Sequence, residues 1–118
     1  MLGVYKEDRL EQVNWLVDKI ANLRIFPDSH GKMNLSVKQI DGKLLVVSQF
    51  TLCASASSGR RPDFFAAAQP RRAEELYEAC ILRFIEEHKL AVQKGVFGEK
   101  MQVMLVNDGP VTIIIDTP

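Results

Sequence analysis

Reactive side chains are few in this sequence, and their surroundings narrow the chemistry open to it. Ser48-Gln49-Phe50-Thr51-Leu52 lies where an apolar strand runs out into a loop, a place where a rigid element can position binding groups. Thr51 carries a hydroxyl that could attack a substrate, yet the sequence ties no base to it. Taken alone, Phe50 and Leu52 read as core, and Ser48 and Thr51 as satisfying local backbone groups. His30 falls in a turn and His88 at the end of a helix, so each reads as solvent-facing or as a favourable charge at a helix C-terminus rather than as a base. Cys53 follows the first motif without an evident histidine partner, and Cys80 belongs to an apolar helix face. The two cysteines form no C-x-x-C pair, which leaves weak grounds for a zinc site or a disulfide framework.

A second segment, Asn107-Asp108-Gly109-Pro110-Val111-Thr112, interrupts two strongly apolar stretches. By itself it reads as a proline-containing hairpin turn. Arg60, Arg61, Arg71 and Arg72 form the one dense basic cluster, either a solvated loop and helix start or a set of phosphate contacts.

These segments must be held by regular elements. Asp8 as N-cap, followed by Leu10, Val13, Leu16, Val17, Ile20 and Leu23 at helical spacing, predicts an amphipathic helix over roughly 8–22. Arg24-Ile25-Phe26 is a short strand candidate ended by Pro27, and Asp41-Gly42 signals a hairpin leading into a strand over 43–50. The polar stretch 54–62 cannot continue that strand and reads as a mobile basic loop. A second helix starts after Pro70 and turns Ala73, Leu76, Tyr77, Cys80, Ile81, Phe84 and Ile85 to the core. Met101 to Val106 and Val111 to Ile115 are expected to be closing strands. This order predicts an α+β fold with a mainly antiparallel, barrel-like sheet and two amphipathic helices, as a single domain over 1–118.

The chain has 118 residues, enough for one core, and 47% apolar with 25% charged residues is the balance of a globular protein rather than a disordered one. Fifteen basic residues offset fifteen acidic ones, so no overall positive field draws nucleic acid from a distance. Any RNA contact must come from a local patch. The cysteine usage fits a reducing compartment, and neither a signal core nor an apolar run of the ~20 residues needed for a spanning helix is visible. A cytoplasmic protein without membrane contact is expected.

Taken together and in order, the two motifs and the segment Gly95-x-Phe97-Gly98-x-x-Met101 between them resemble the signature of the D-aminoacyl-tRNA deacylases. The likeness extends to Asn22-Leu23-Arg24-Ile25-Phe26, Gly31-Lys32-Met33-Asn34, Gly59-Arg60-Arg61-Pro62 and Ile113-Ile114-Ile115-Asp116, and so to nearly the whole chain. It departs at the front. Family members begin with additional strands, one carrying a basic residue that supports the active-site loop, and this sequence is expected to be N-terminally incomplete relative to them.

The resemblance implies hydrolysis of the ester of D-aminoacyl-tRNA, releasing D-amino acid and tRNA as chiral proofreading in translation, without metal or other cofactor. Ser48, Gln49, Phe50 and Thr51 would be the catalytic segment, with backbone N–H groups near Phe50 and Thr51 as an oxyanion hole. Such donors are typically worth ~2.7–4 kcal/mol each. Gly109, Pro110, Val111, Thr112, Phe97 and Met101 would bind substrate, and Arg60 and Arg61 the tRNA. In the family the Gly-Pro peptide is cis, a geometry that proline tolerates at a cost of only ~0.5–1 kcal/mol, and it enters the partner subunit's site in a homodimer. Its carbonyls grip the α-amino group and leave no room for an L side chain. Such a filter cannot reject glycine, so glycyl-tRNA mischarged on tRNA-Ala is an expected further substrate. The partners implied are the 3′ end of aminoacyl-tRNA and a second copy of the chain, with no DNA. Two alternatives compete: a non-catalytic RNA-binding or dimerisation module derived from the family, and the related editing domain of archaeal threonyl-tRNA synthetases, which removes L-serine.

Overall fold

A computed structural model describes residues 1–118. Its first helix, α1 (Leu10–Asn22), begins one residue later than its sequence pattern suggests. Arg9 is the N-cap residue, and its N–H donates to Gln12 Oε1 at 3.0 Å. The Asp8 carboxylate instead accepts the Tyr5 N–H at 2.8 Å, closing the preceding turn. Val13, Val17 and Ala21, spaced by four, are the buried face. Leu10 lies outside that stripe and is exposed.

Beyond α1 the chain forms a small antiparallel pair, β1 (Phe26–Pro27) with β2 (Met33–Leu35). Pro27 is part of β1 rather than its end, because this short strand keeps its proline where no ladder N–H is required. The turn between them is tied by Asp28, whose Oδ1 accepts the N–H groups of His30 at 2.8 Å and Lys32 at 3.0 Å. These bonds, that from Lys32 foremost, hold the Asp28 carboxyl below its ordinary pKa of 3.8.

Asp41-Gly42 does make a turn, with Asp41 at φ 53° and the Gly42 N–H donating to Val37 O at 2.8 Å. It is not a hairpin. Residues 37–41 coil through turns, and β3 (Lys43–Val46) pairs in parallel with β4 (Ala91–Lys94), Lys43 opposite Ala91 and Val46 opposite Lys94. A parallel pair needs a long crossover, and α2 (Pro70–Glu86) supplies it. Pro70 opens α2 where a missing N–H costs nothing. Ala73, Leu76, Tyr77, Cys80, Ile81 and Phe84 are buried, while Ile85 at the edge of the stripe is exposed.

The fold is thus α+β with two helices, one antiparallel and one parallel strand pair. The core joins Val13, Val17 and Ala21 of α1 to Ala73, Leu76, Cys80 and Phe84 of α2, with Val4, Val37 and Leu90 closing the ends. Burial pushes the Cys80 thiol up to about 12.

The two closing strands are not formed. Residues 102–118 run without regular structure and make no backbone hydrogen bond to the rest of the chain. Met104 and Val106 are each 91% exposed and Ile114 86%. Their composition suits strands, but no neighbouring strand of the chain lies beside them, and a lone strand has nothing to bond to. No helix is long and apolar enough to cross a membrane.

Candidate active site

Where β3 ends, the chain is captured by residues 1–5. The Leu2 N–H donates to Val47 O and the Gln49 N–H to Leu2 O, both at 2.8 Å, so Ser48 bridges Leu2 in parallel. Gly3 allows this close approach: a Cβ there would stand 3.0 Å from Leu52 Cβ and 3.1 Å from Cys53 Sγ. The chain then turns through a 3-10 segment, Phe50–Cys53. Being at its start, the N–H groups of Phe50 and Thr51 have no partner within the chain. Gln49 Nε2 donates to Thr51 Oγ1 at 2.5 Å.

This segment forms one wall of a cavity of about 730 Å³. Ser48, Gln49 and Phe50 face Phe97 and Met101 across it. Phe50 and Leu52 are both more than half exposed, so neither is the core residue that its type suggests. Phe50 packs edge-on against Phe64, with centroids 5.0 Å apart. Phe97 lies 5.8 Å from the buried Tyr77 ring, and Tyr77 Oη donates to Val46 O at 2.8 Å. One side chain of α2 therefore steadies both walls. Met101 Sδ accepts the Val96 N–H at 3.4 Å and lies 2.7 Å from the position of a Cβ on Gly95, so a larger residue there would displace the thioether.

Phe64, Gln69, Pro70, Glu99, Lys100 and Val103 also line the cavity, and sequence reasoning did not select them. The aromatic pair after Pro62 was the one available signal, and it is equally a signal of core.

Other expected site residues lie apart. Thr51 is exposed and absent from the cavity lining, its hydroxyl turned to Gln49. Neither histidine reaches it. His30 is exposed in the β1–β2 turn, whereas the His88 ring is largely covered, with Nδ1 3.5 Å from Lys38 Nζ and Nε2 4.0 Å from Asp18 Oδ1. His88 is thus not solvent-facing. It follows α2 and is packed back towards α1. Cys53 is buried, and burial raises its thiol pKa, the reverse of an activated nucleophile. Arg60 and Arg61 stand exposed in the 54–62 loop without an ion pair, whereas Arg71 and Arg72 both engage Glu75.

Gly109, Pro110, Val111 and Thr112 do not reach the cavity of their own chain. The Gly109-Pro110 peptide is cis and Gly109 has φ 146°. Thr112 instead lines a second cavity of about 450 Å³, between residues 112–117, the segment 1–5 and the helices, where Val13 of α1 and Leu76 and Cys80 of α2 contribute to its wall.

The family model described as D-Tyr-tRNA(Tyr) deacylase matches residues 1–116. The chain belongs to that family. It is similar to the D-aminoacyl-tRNA deacylase of Natranaerobius thermophilus, at 50% identity over 99% of this chain and 78% of that protein. It is also similar to the D-aminoacyl-tRNA deacylase of Fusobacterium nucleatum, at 52% identity over 99% and 77%. A solved structure named c-Myc DNA Unwinding Element Binding Protein superposes with a TM-score of 0.91 at 38% identity, covering 99% of this chain and 79% of that one. This deacylase-family chain is accordingly an enzyme, and the cavity between Ser48–Phe50 and Phe97–Met101 is its candidate active site.

Proposed function

We propose that this deacylase hydrolyses the ester between a D-amino acid and the 3′ end of tRNA, in a site completed by the Gly109-Pro110 turn of a second copy. The observation that carries the reading is the cavity walled by Ser48–Phe50 and Phe97–Met101, with the N–H groups of Phe50 in that wall and of the adjoining Thr51 left without partners.

Water attacks the ester carbonyl, a C–O bond forms, and the carbonyl oxygen becomes an oxyanion. The Phe50 and Thr51 N–H groups stabilise that charge. The bond to the ribose oxygen then breaks, the ribose oxygen takes a proton, and D-amino acid and tRNA leave. The adjacent 2′-hydroxyl of the terminal ribose relays the proton, so Thr51 need not act as nucleophile; its hydroxyl bound to Gln49 supports this. The same 2′-hydroxyl marks the substrate as RNA.

The Gly109-Pro110 turn does not reach the cavity of its own chain, and the arm that bears it leaves Met104, Val106 and Ile114 exposed and its backbone without hydrogen bonds to the chain. Both facts favour action on a partner subunit. There the turn's carbonyls hold the α-amino group and exclude an L side chain, a filter that admits glycyl-tRNA. Arg60 and Arg61, unpaired on the loop, contact phosphate. A cytoplasmic setting goes with this reading.

The test is to incubate D-Tyr-tRNA and L-Tyr-tRNA with the protein and follow release of the amino acid. Release of the D form alone is expected. Equal hydrolysis of both, or of neither, contradicts the reading.

A further inference from the structure

Phe64 and Phe65 are adjacent, and their rings go to different places. Phe64 packs on Phe50 in the cavity wall, while Phe65 is 79% exposed, with Lys6 Nζ 3.5 Å from its ring centroid. An exposed phenylalanine is ordinary on a loose loop. This one is held on a fixed backbone. The Phe65 N–H donates to Asp63 Oδ1 at 2.6 Å, Asp63 exchanges two 2.8 Å backbone bonds with Ser55, and the Ala67 N–H closes a turn onto Phe64 O at 3.0 Å. From the other side the Lys6 N–H donates to Ala66 O at 3.0 Å, and Tyr5 bridges Ala67. The same bonds that fix the ring thus bring the Lys6 ammonium to it. The result is a rigid aromatic surface with a cation beside it, one residue from the wall of the active site.

We propose that Phe65 and Lys6 form a stacking platform for an unpaired base near the 3′ end of the RNA, at the rim of the site cavity. This rests on the reading of the cavity as the seat of an aminoacyl-RNA ester: unpaired nucleotides leading to that ester must pass its rim. Every base offers a π face, and the ammonium pairs with the phosphate that follows, so the platform is indifferent to sequence. In a chain without net charge, a local aromatic-cation pair supplies what a general positive field does not. Pre-ordering the ring lowers the entropy lost on binding.

The probe is a fluorescent single-stranded RNA hexamer ending in CCA and carrying no amino acid, titrated with the protein at several salt concentrations. Phe65→Ala is expected to weaken binding ~5- to 150-fold, the range for loss of one stacked base. Phe65→Trp should bind at least as well as the wild type, whereas Phe65→Leu, apolar but not aromatic, should behave like Phe65→Ala. Lys6→Ala should reduce the slope of log K against log salt by about 0.7. Failure of the wild type to bind the hexamer, or a Phe65→Ala affinity within twofold of wild type with an unchanged circular dichroism spectrum, overturns the platform. So does a change in self-association of Phe65→Ala, by sedimentation, with RNA affinity unaltered, which would assign the ring to a contact between copies. Since the probe has no ester, hexamer binding that depends on Phe65 in a protein inactive on D-Tyr-tRNA would sink the proposed activity and leave the platform standing.

Discussion

Leu76, Cys80 and Phe84 of α2 lie in one core with Val13, Val17 and Ala21 of α1, almost wholly removed from water. Met104, Val106 and Ile114 are no less apolar, yet they stand in solvent, on a segment whose backbone bonds to nothing in the chain. The difference lies in what each element needs. A helix satisfies its own backbone and requires only that one stripe be covered, which two helices can do for each other. A strand must borrow both its hydrogen bonds and its cover from neighbours. In the proposed dimer the arm over 102–116 obtains them from a second copy.

The contrast predicts unequal responses to substitution. Leu76→Ala or Phe84→Ala should each cost about 2–5 kcal/mol of unfolding free energy, since a cavity opens among close-packed neighbours. Met104→Ser or Ile114→Ser, measured by urea denaturation at a protein concentration where the chain is monomeric, should stay within about 0.5 kcal/mol. Self-association of the arm variants should weaken at higher concentration. An arm substitution that destabilised the monomer as much as a core one would erase the distinction.

A smaller effect sharpens the link between core and site. Tyr77→Phe keeps the buried ring but removes the hydrogen bond to Val46 O, for an expected loss of about 0.5–1.5 kcal/mol. Amide exchange at Val47 to Gln49 should quicken while that of α1 does not change, by hydrogen-exchange mass spectrometry. Equal quickening in both would mean that Tyr77 steadies the fold at large and not the site walls.

Titration should separate the regions too. Cys80 remains a neutral thiol in the folded chain up to about 12, whereas the unfolded thiol ionises near its ordinary 9.0. Above that value the unfolded state holds fewer protons than the folded one, so stability falls as pH rises from about 9 to 12. Cys80→Ala should lessen that fall in pH-dependent thermal melts; an unchanged profile would contradict it. Asp28 gives the weakest signal and the opposite sign. Its carboxylate is favoured in the folded turn, so that contribution is present above 3.8 and lost as pH falls below it. Amide exchange at His30 and Lys32 should quicken there, and a rate that stayed flat on acidification would contradict the assignment.

Much of this was legible in the sequence because it is local. The α2 stripe, the start at Pro70 and the polar loop after Ala54 follow from periodicity and from proline and serine chemistry. The motif over 48–52 was legible as a strand running into a turn, and Phe97 and Met101 do meet it across the cavity. What escaped depends on distant partners. Whether Lys43–Val46 pairs with what precedes it or, as found, in parallel with Ala91–Lys94 is decided by the crossover, not by the strand. The exposure of Phe50 and Leu52 follows from the anchoring of Ser48 and Gln49 to Leu2, far away in sequence. The expected strands over 101–106 and 111–115 have the right composition but no neighbour here, and composition carries no information about neighbours.

The proposed site is divided between the scaffold of one copy and the arm of another. Phe50→Ala damages the cavity wall, and Gly109→Ala damages the turn, because a Cβ there meets Val111 N at 3.0 Å and φ 146° disfavours any side chain. Each variant alone should lose D-Tyr-tRNA hydrolysis. Mixing the two under conditions that exchange subunits should restore it to about a quarter of the wild-type rate, since half of the randomly formed two-fold dimers would pair an intact cavity with an intact turn. No recovery, with heterodimers demonstrably present, would contradict the divided site.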